Sequence, residues 1–121
     1  METMTIDCGM RSFQINDGGV LRFNPSDPNV YARFRDAVQR METLTQEAEG
    51  ADGLVLADQR LKGLLAEVFG NHNDFDAILG GVNLLAPATN GKPVIFNLLD
   101  ALTPVLEQGA KDFVQSVIDS E

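Results

Sequence analysis

One cysteine and one histidine occur in 121 residues, basic side chains are half as numerous as acidic ones, and no long apolar run is present. Each scarcity narrows what the chain can do. Cys8 has no second cysteine with which to close an intramolecular disulfide, and its place before Gly9 suits a small residue in a strand or turn. A nucleophilic or redox role would need a nearby base and an electropositive setting, and the sequence indicates neither. His72 has no cysteine or second histidine near it to complete a transition-metal site. Nine Lys and Arg against eighteen Asp and Glu leave a formal charge of −9, which repels nucleic-acid phosphates and anionic lipid alike. Direct contact with DNA or RNA is therefore disfavoured. No segment approaches the roughly 18 uncharged apolar residues needed to cross a bilayer. The opening METMTIDCGMRSF lacks a basic start followed by an apolar stretch, so no membrane contact and a cytoplasmic location are expected.

Motifs that carry chemistry fail on inspection. Asn71 to Asp76 is rich in side-chain oxygens, but Phe75 stands where a calcium loop needs a ligand, and helix capping explains the segment better. Lys92 follows Gly91, yet Ala86 and Pro93 hold the positions that a phosphate loop reserves for Gly and for Ser or Thr. Asp36, Glu42, Glu47, Glu49, Asp52 and Asp58 fall on solvent-facing helix stripes instead of converging in a cleft. No catalytic residue, cofactor or metal is expected, and the reading is non-enzymatic.

What is present is the composition of a globular protein, 44% hydrophobic and 22% charged, on a chain of single-domain length. Residues 1–24 form a hairpin region and residues 27–121 a helical one. Asn16-Asp17-Gly18-Gly19 are residue types that accept positive φ in a tight turn, which predicts strands over Arg11 to Ile15 and Val20 to Phe23, with Thr3 to Cys8 as a candidate third. Asp27 and Pro28 suit the cap and first position of a helix whose apolar residues, from Val30 through Phe34, Ala37 and Met41 to Ala48, recur at steps of three and four. Gly50 and Gly53 end or loosen it. A second helix is expected from Leu54 to Phe69 with Gly70 as its left-handed cap. A short third helix follows, capped by Asn73 or Asp74 and stopped by Gly80-Gly81. Val82 to Lys92 reads as a loop ordered through Leu84 and Leu85. The fourth helix starts near Pro93, weakens at Gly109 and continues through Phe113, Val114, Val117 and Ile118. Pro104 inside it predicts a kink, or a break near Leu102 to Thr103. The fold class is α+β, mainly α: an N-terminal β-hairpin followed by four helices.

At about 100° per residue, Val94, Ile95, Leu98, Ala101, Leu102 and Val105 form one arc of the last helix, and Phe96, Leu99 and Leu106 widen it. Two explanations stand: burial on two sides within one domain, or use of Phe96, Leu99 and Leu106 as a protein contact. The hairpin edge is a second candidate surface, because an unpaired strand edge is a route to self-association.

The order of signals resembles the small tail assembly chaperones encoded by tailed bacteriophages and prophages of Gram-positive bacteria. The residues that carry the likeness are Arg22-Phe23-Asn24-Pro25-Ser26-Asp27-Pro28-Asn29-Val30-Tyr31-Ala32-Arg33-Phe34, Val68-Phe69-Gly70-Asn71 with Phe75-Asp76-Ala77-Ile78-Leu79-Gly80, and Asn90-Gly91-Lys92-Pro93-Val94-Ile95-Phe96-Asn97-Leu98-Leu99-Asp100-Ala101-Leu102-Thr103-Pro104. The resemblance spans about the full length and rests on patterns of size and polarity, with no invariant chemical group. It implies a protein that keeps the long, helical tape measure protein soluble, helps the tail tube polymerise around it, self-associates as a homo-oligomer, and is absent from the finished virion. Two other readings remain beside it. One is an acidic regulator or anti-defence protein that mimics DNA, although Arg33, Arg35, Arg40, Arg60 and Lys62 interrupt its acids; the other is a structural tail or head-completion protein.

Overall fold

The computed structural model describes residues 1–120 as strands β1 (Arg11–Ile15) and β2 (Gly19–Phe23) followed by helices α1 (Pro28–Glu47), α2 (Gly50–Phe69), α3 (Phe75–Ile78) and α4 (Val94–Ser120). The α+β, mainly α expectation is met. β1 and β2 pair antiparallel with Arg11 opposite Phe23 and Ile15 opposite Gly19. The left-handed turn residue is Asn16, at φ 53°, whereas Gly18 and Gly19 keep ordinary φ. Gly19 is needed for a different reason: a Cβ there would lie 2.6 Å from the Cα of Ile78 and overlap its carbonyl. The bare backbone lets β2 close onto α3.

Strand alternation sends Leu21 and Phe23 into the core and Val20 and Arg22 to solvent. The Phe23 ring lies 4.8 Å from that of Phe69 and 5.2 Å from that of Phe13, so one aromatic contact ties the hairpin to the end of α2. Among the described residues the candidate third strand over Thr3 to Cys8 does not form. Residues 1–10 pair with no strand among the described residues; the Asn24 Nδ2 donates to the Cys8 carbonyl at 3.0 Å, and within the segment the Gly9 N–H donates to Asp7.

α1 begins as its sequence requires, with the Asp27 carboxylate accepting from the Asn29 N–H at 2.9 Å and Pro28 in the first turn. Val30, Phe34, Ala37 and Met41 face inward and pack along α2, whose buried stripe runs from Ala57 to Phe69. α2 starts a turn earlier than expected, at Gly50, where Asp52 in the first turn complements the positive end of the helix dipole. Gly70 ends it at φ 109°, with its N–H donating to the Ala66 carbonyl. Of the two possible caps for α3, Asp74 is the one used, accepting from the Ala77 N–H.

Asn73 is instead a buried bracket, only 3% exposed. Its amide accepts from the Arg22 N–H and donates to the Arg22 carbonyl, both at 2.9 Å, and also donates to the Phe69 carbonyl. The side chain thus closes the outer edge of β2 and joins it to α2.

The segment between α3 and α4 is ordered as predicted. Leu84 is fully buried, its N–H donates to Asp58, and its carbonyl accepts from Ile95 at the start of α4. Lys62 secures the same region from α2, donating to Asp58 at 2.9 Å, Asp76 at 2.6 Å and the Val82 carbonyl at 2.9 Å. Burial opposes its charge, but the hydrogen bonds it donates to Asp76 and Asp58 and their negative charges outweigh that and raise its pKa above 10.5. A raised lysine pKa adds stability that is complete below pH 10.5 and disappears as pH climbs through the folded-state value. Lys62 is 11% exposed, so Lys62→Met is expected to cost about 2 kcal/mol at neutral pH in urea unfolding. The variant should also lack the part of the alkaline loss of stability that this group causes above pH 10.5.

α4 runs for 27 residues without a break at Leu102–Thr103, so that alternative is corrected. Pro104 cannot donate to the Asp100 carbonyl, a defect of about 3 kcal/mol in a helix interior. Both residues face solvent, where water can take up the free carbonyl. Ile95, Leu98, Leu99, Leu102 and Leu106 are buried on either side of the proline, and each is worth roughly 1.5–3 kcal/mol. Burial on both flanks outweighs the missing bond. All of these elements share one core that runs from Leu21 to Leu106.

Candidate functional site

Two of the three contact residues proposed from the arc lie inside that core. Leu99 is 8% exposed and Leu106 1%, so neither stands on an open face, Leu106 reaching only the floor of a hollow, and Phe96 is half-buried against the same cluster. The arc is wide because α4 is covered twice, by α1 and by the ordered segment around Leu84.

The accessible apolar surface of α4 begins where the core stops. Gly109 is the last buried residue of the helix, and it lies directly against the carbonyl of Pro25. From Lys111 to Ser120 every residue is exposed, although Phe113 and Val114 still border the body beside Pro25 and Tyr31. Phe113, Val114, Val117 and Ile118 stand on this free length at spacings of one, three and one, which places them on one face. Elsewhere on the helix, Gln108 bonds to Asp112 and Gln115 to Asp119, at 3.0 and 2.9 Å, in one-turn pairs that support it locally.

The stripe borders a groove between α4 and the start of α1 with the loop before it. Ala110, Phe113 and Val114 meet Pro25, Pro28 and Tyr31, with Ser26 and Asp27 beside them, around a hollow of about 170 Å³. Tyr31 also borders the next hollow, about 250 Å³, with Phe34, Val38, Thr103 and Leu106 in its walls and Arg35 and Glu107 beside them. The sequence placed Phe113 to Ile118 on a continued helix. It did not single them out, because their spacing resembles that of a core-facing stripe and only the fold leaves them uncovered.

A larger, open cleft of about 660 Å³ lies between α1 and α2, lined by Asp36, Gln39, Arg40, Thr43, Arg60 and Glu67 among others. Its charges are of both signs and all four ionisable side chains are exposed, so it provides neither the dry surroundings nor the single-sign field that concentrates an ionic ligand. The α1/α4 groove and the free end of α4 form the more selective surface: a long apolar track with a polar rim, suited to an amphipathic helix. Among the described residues no helix is long and apolar enough to cross a membrane. Compared with family models, curated proteins and solved structures, the chain matches none of them.

Proposed function

We propose that this protein is a non-enzymatic tail assembly chaperone that binds the phage tape measure protein in the host cytoplasm and assists assembly of the tail tube around it. The observation that carries the reading is the apolar track from the α1/α4 groove onto Phe113, Val114, Val117 and Ile118, on a chain of net charge −9. A tape measure helix exposes apolar stripes until the tube encloses it. A partner with spare apolar helix surface covers such a stripe, while its surplus negative charge keeps the complex dispersed. Glu107, Asp112 and Asp119 on the same helix favour a partner stripe flanked by Lys and Arg.

Co-expression with the tape measure protein of the same genome tests this. The expected result is a co-purifying complex and a higher soluble yield of the tape measure protein; failure of both ends the proposal.

A further inference from the structure

We propose that the first ten residues of one copy add as a strand to the free edge of β1 in a second copy. Met4, Ile6, Cys8 and Met10 occupy alternate positions of a segment whose residues are all exposed. A period of two is the pattern of a strand covered on one face, yet nothing among the described residues covers this one.

The matching vacancy is on β1. Asn73 takes both backbone groups of Arg22, so the Ser12–Arg22 pair is one of the non-hydrogen-bonded pairs of the ladder, and Gln14–Val20 is the next. The N–H and carbonyl groups of Ser12 and Gln14 therefore point away from β2. No hydrogen bond from outside the hairpin reaches them among the described residues. On the core face beside this edge, Phe13 and Ile15 are only half-buried.

The arm does not reach that edge in its own chain. The Asn24 amide, which follows β2, holds the Cys8 carbonyl on the side of β1 that β2 already occupies. Ten extended residues span about 33 Å, against about 17 Å for β1, so an arm from a neighbour covers the whole edge. Charge favours the exchange: Glu2 and Asp7 make the arm acidic, whereas residues 11–23 carry Arg11 and Arg22 against Asp17, a net +1 within a chain of −9. Strand addition then places Met4 and Ile6 over Phe13 and Ile15, and two arms can be exchanged reciprocally.

Sedimentation equilibrium of the full chain decides the matter, with two variants that act on opposite sides of the contact. Gln14→Pro removes an outward N–H that β2 does not use, a position where an edge strand tolerates proline, and Ile6→Asp changes only the exposed arm. The wild type is expected to show concentration-dependent masses of twice the single chain or more. Each variant should raise the dissociation constant by more than about tenfold, with the helical circular dichroism and urea midpoint unchanged. A photo-cross-linker on Cys8, the only cysteine, should join that residue to β1 of another copy in mixtures of isotopically light and heavy chains. A wild type of single-chain mass throughout, an oligomer that survives both variants, or cross-links confined to one chain each overturn the proposal. Both variants should still bind the tape measure protein, so loss of self-association and failure of the chaperone reading are separate outcomes.

Discussion

Gly109→Ala should destabilise the protein by about 2–3 kcal/mol, although the same change in an exposed helix interior adds about 1 kcal/mol of stability. The reversal comes from one contact. Gly109 is buried against the Pro25 carbonyl, and a Cβ there overlaps that carbonyl and comes 3.1 Å from the Ser26 nitrogen. Pro25 leads into the cap of α1, where the Asp27 N–H donates to the Asn24 carbonyl and the Asp27 carboxylate accepts from Asn29. Neither side yields easily: moving the loop disturbs the cap, and moving α4 lifts Leu106, one turn earlier, out of the core. Urea unfolding is the measurement. A neutral or stabilising result would mean that α4 is not seated on this loop. Gly109→Val should be worse still, because it adds two methyl groups to the same overlap and a β-branch to the helix.

The second large effect is on binding. Val114→Lys with Ile118→Lys should weaken association with the tape measure protein by more than about 100-fold, through loss of the centre of the apolar stripe and repulsion of a basic partner helix. These side chains are 56% and 57% exposed, so the folded chain loses little by the exchange. Lysine is also a better helix former than the β-branched Val and Ile it replaces, so the helix itself is not weakened. Pull-down of co-expressed proteins, with circular dichroism of the purified variant, reads both quantities. Undiminished binding by a folded double variant would remove the stripe from the proposed function.

How much of this was legible depends on whether the signal was local. Asp27-Pro28 marked the start of α1, Gly70 the end of α2, and Gly80-Gly81 the end of α3, because caps and terminators act within one turn of the residues that cause them. The turn lies where the four residues Asn16 to Gly19 put it, and of these it is Asn16 that takes positive φ, while contact with Ile78, remote in sequence, determines what Gly19 is for. Pro104 showed the limit in another form. A local rule predicted a kink or break, and leucines buried on both flanks carried the helix past the proline without a break.

The candidate site followed the same division. Periodicity could say that Leu99, Leu106, Val114 and Ile118 belong to apolar arcs of one helix, because angular position on a helix depends on sequence spacing alone. Which of them meet water depends on where the neighbouring elements end. The close approach of Gly109 to Pro25 marks that limit, with the leucines inside and the valine and isoleucine outside. The amino-acid sequence by itself thus determined the hairpin, the order of the helices and the acidic character. Only tertiary packing decided which apolar residues became core and which remained exposed, since burial belongs to the whole assembly of elements and not to any one of them.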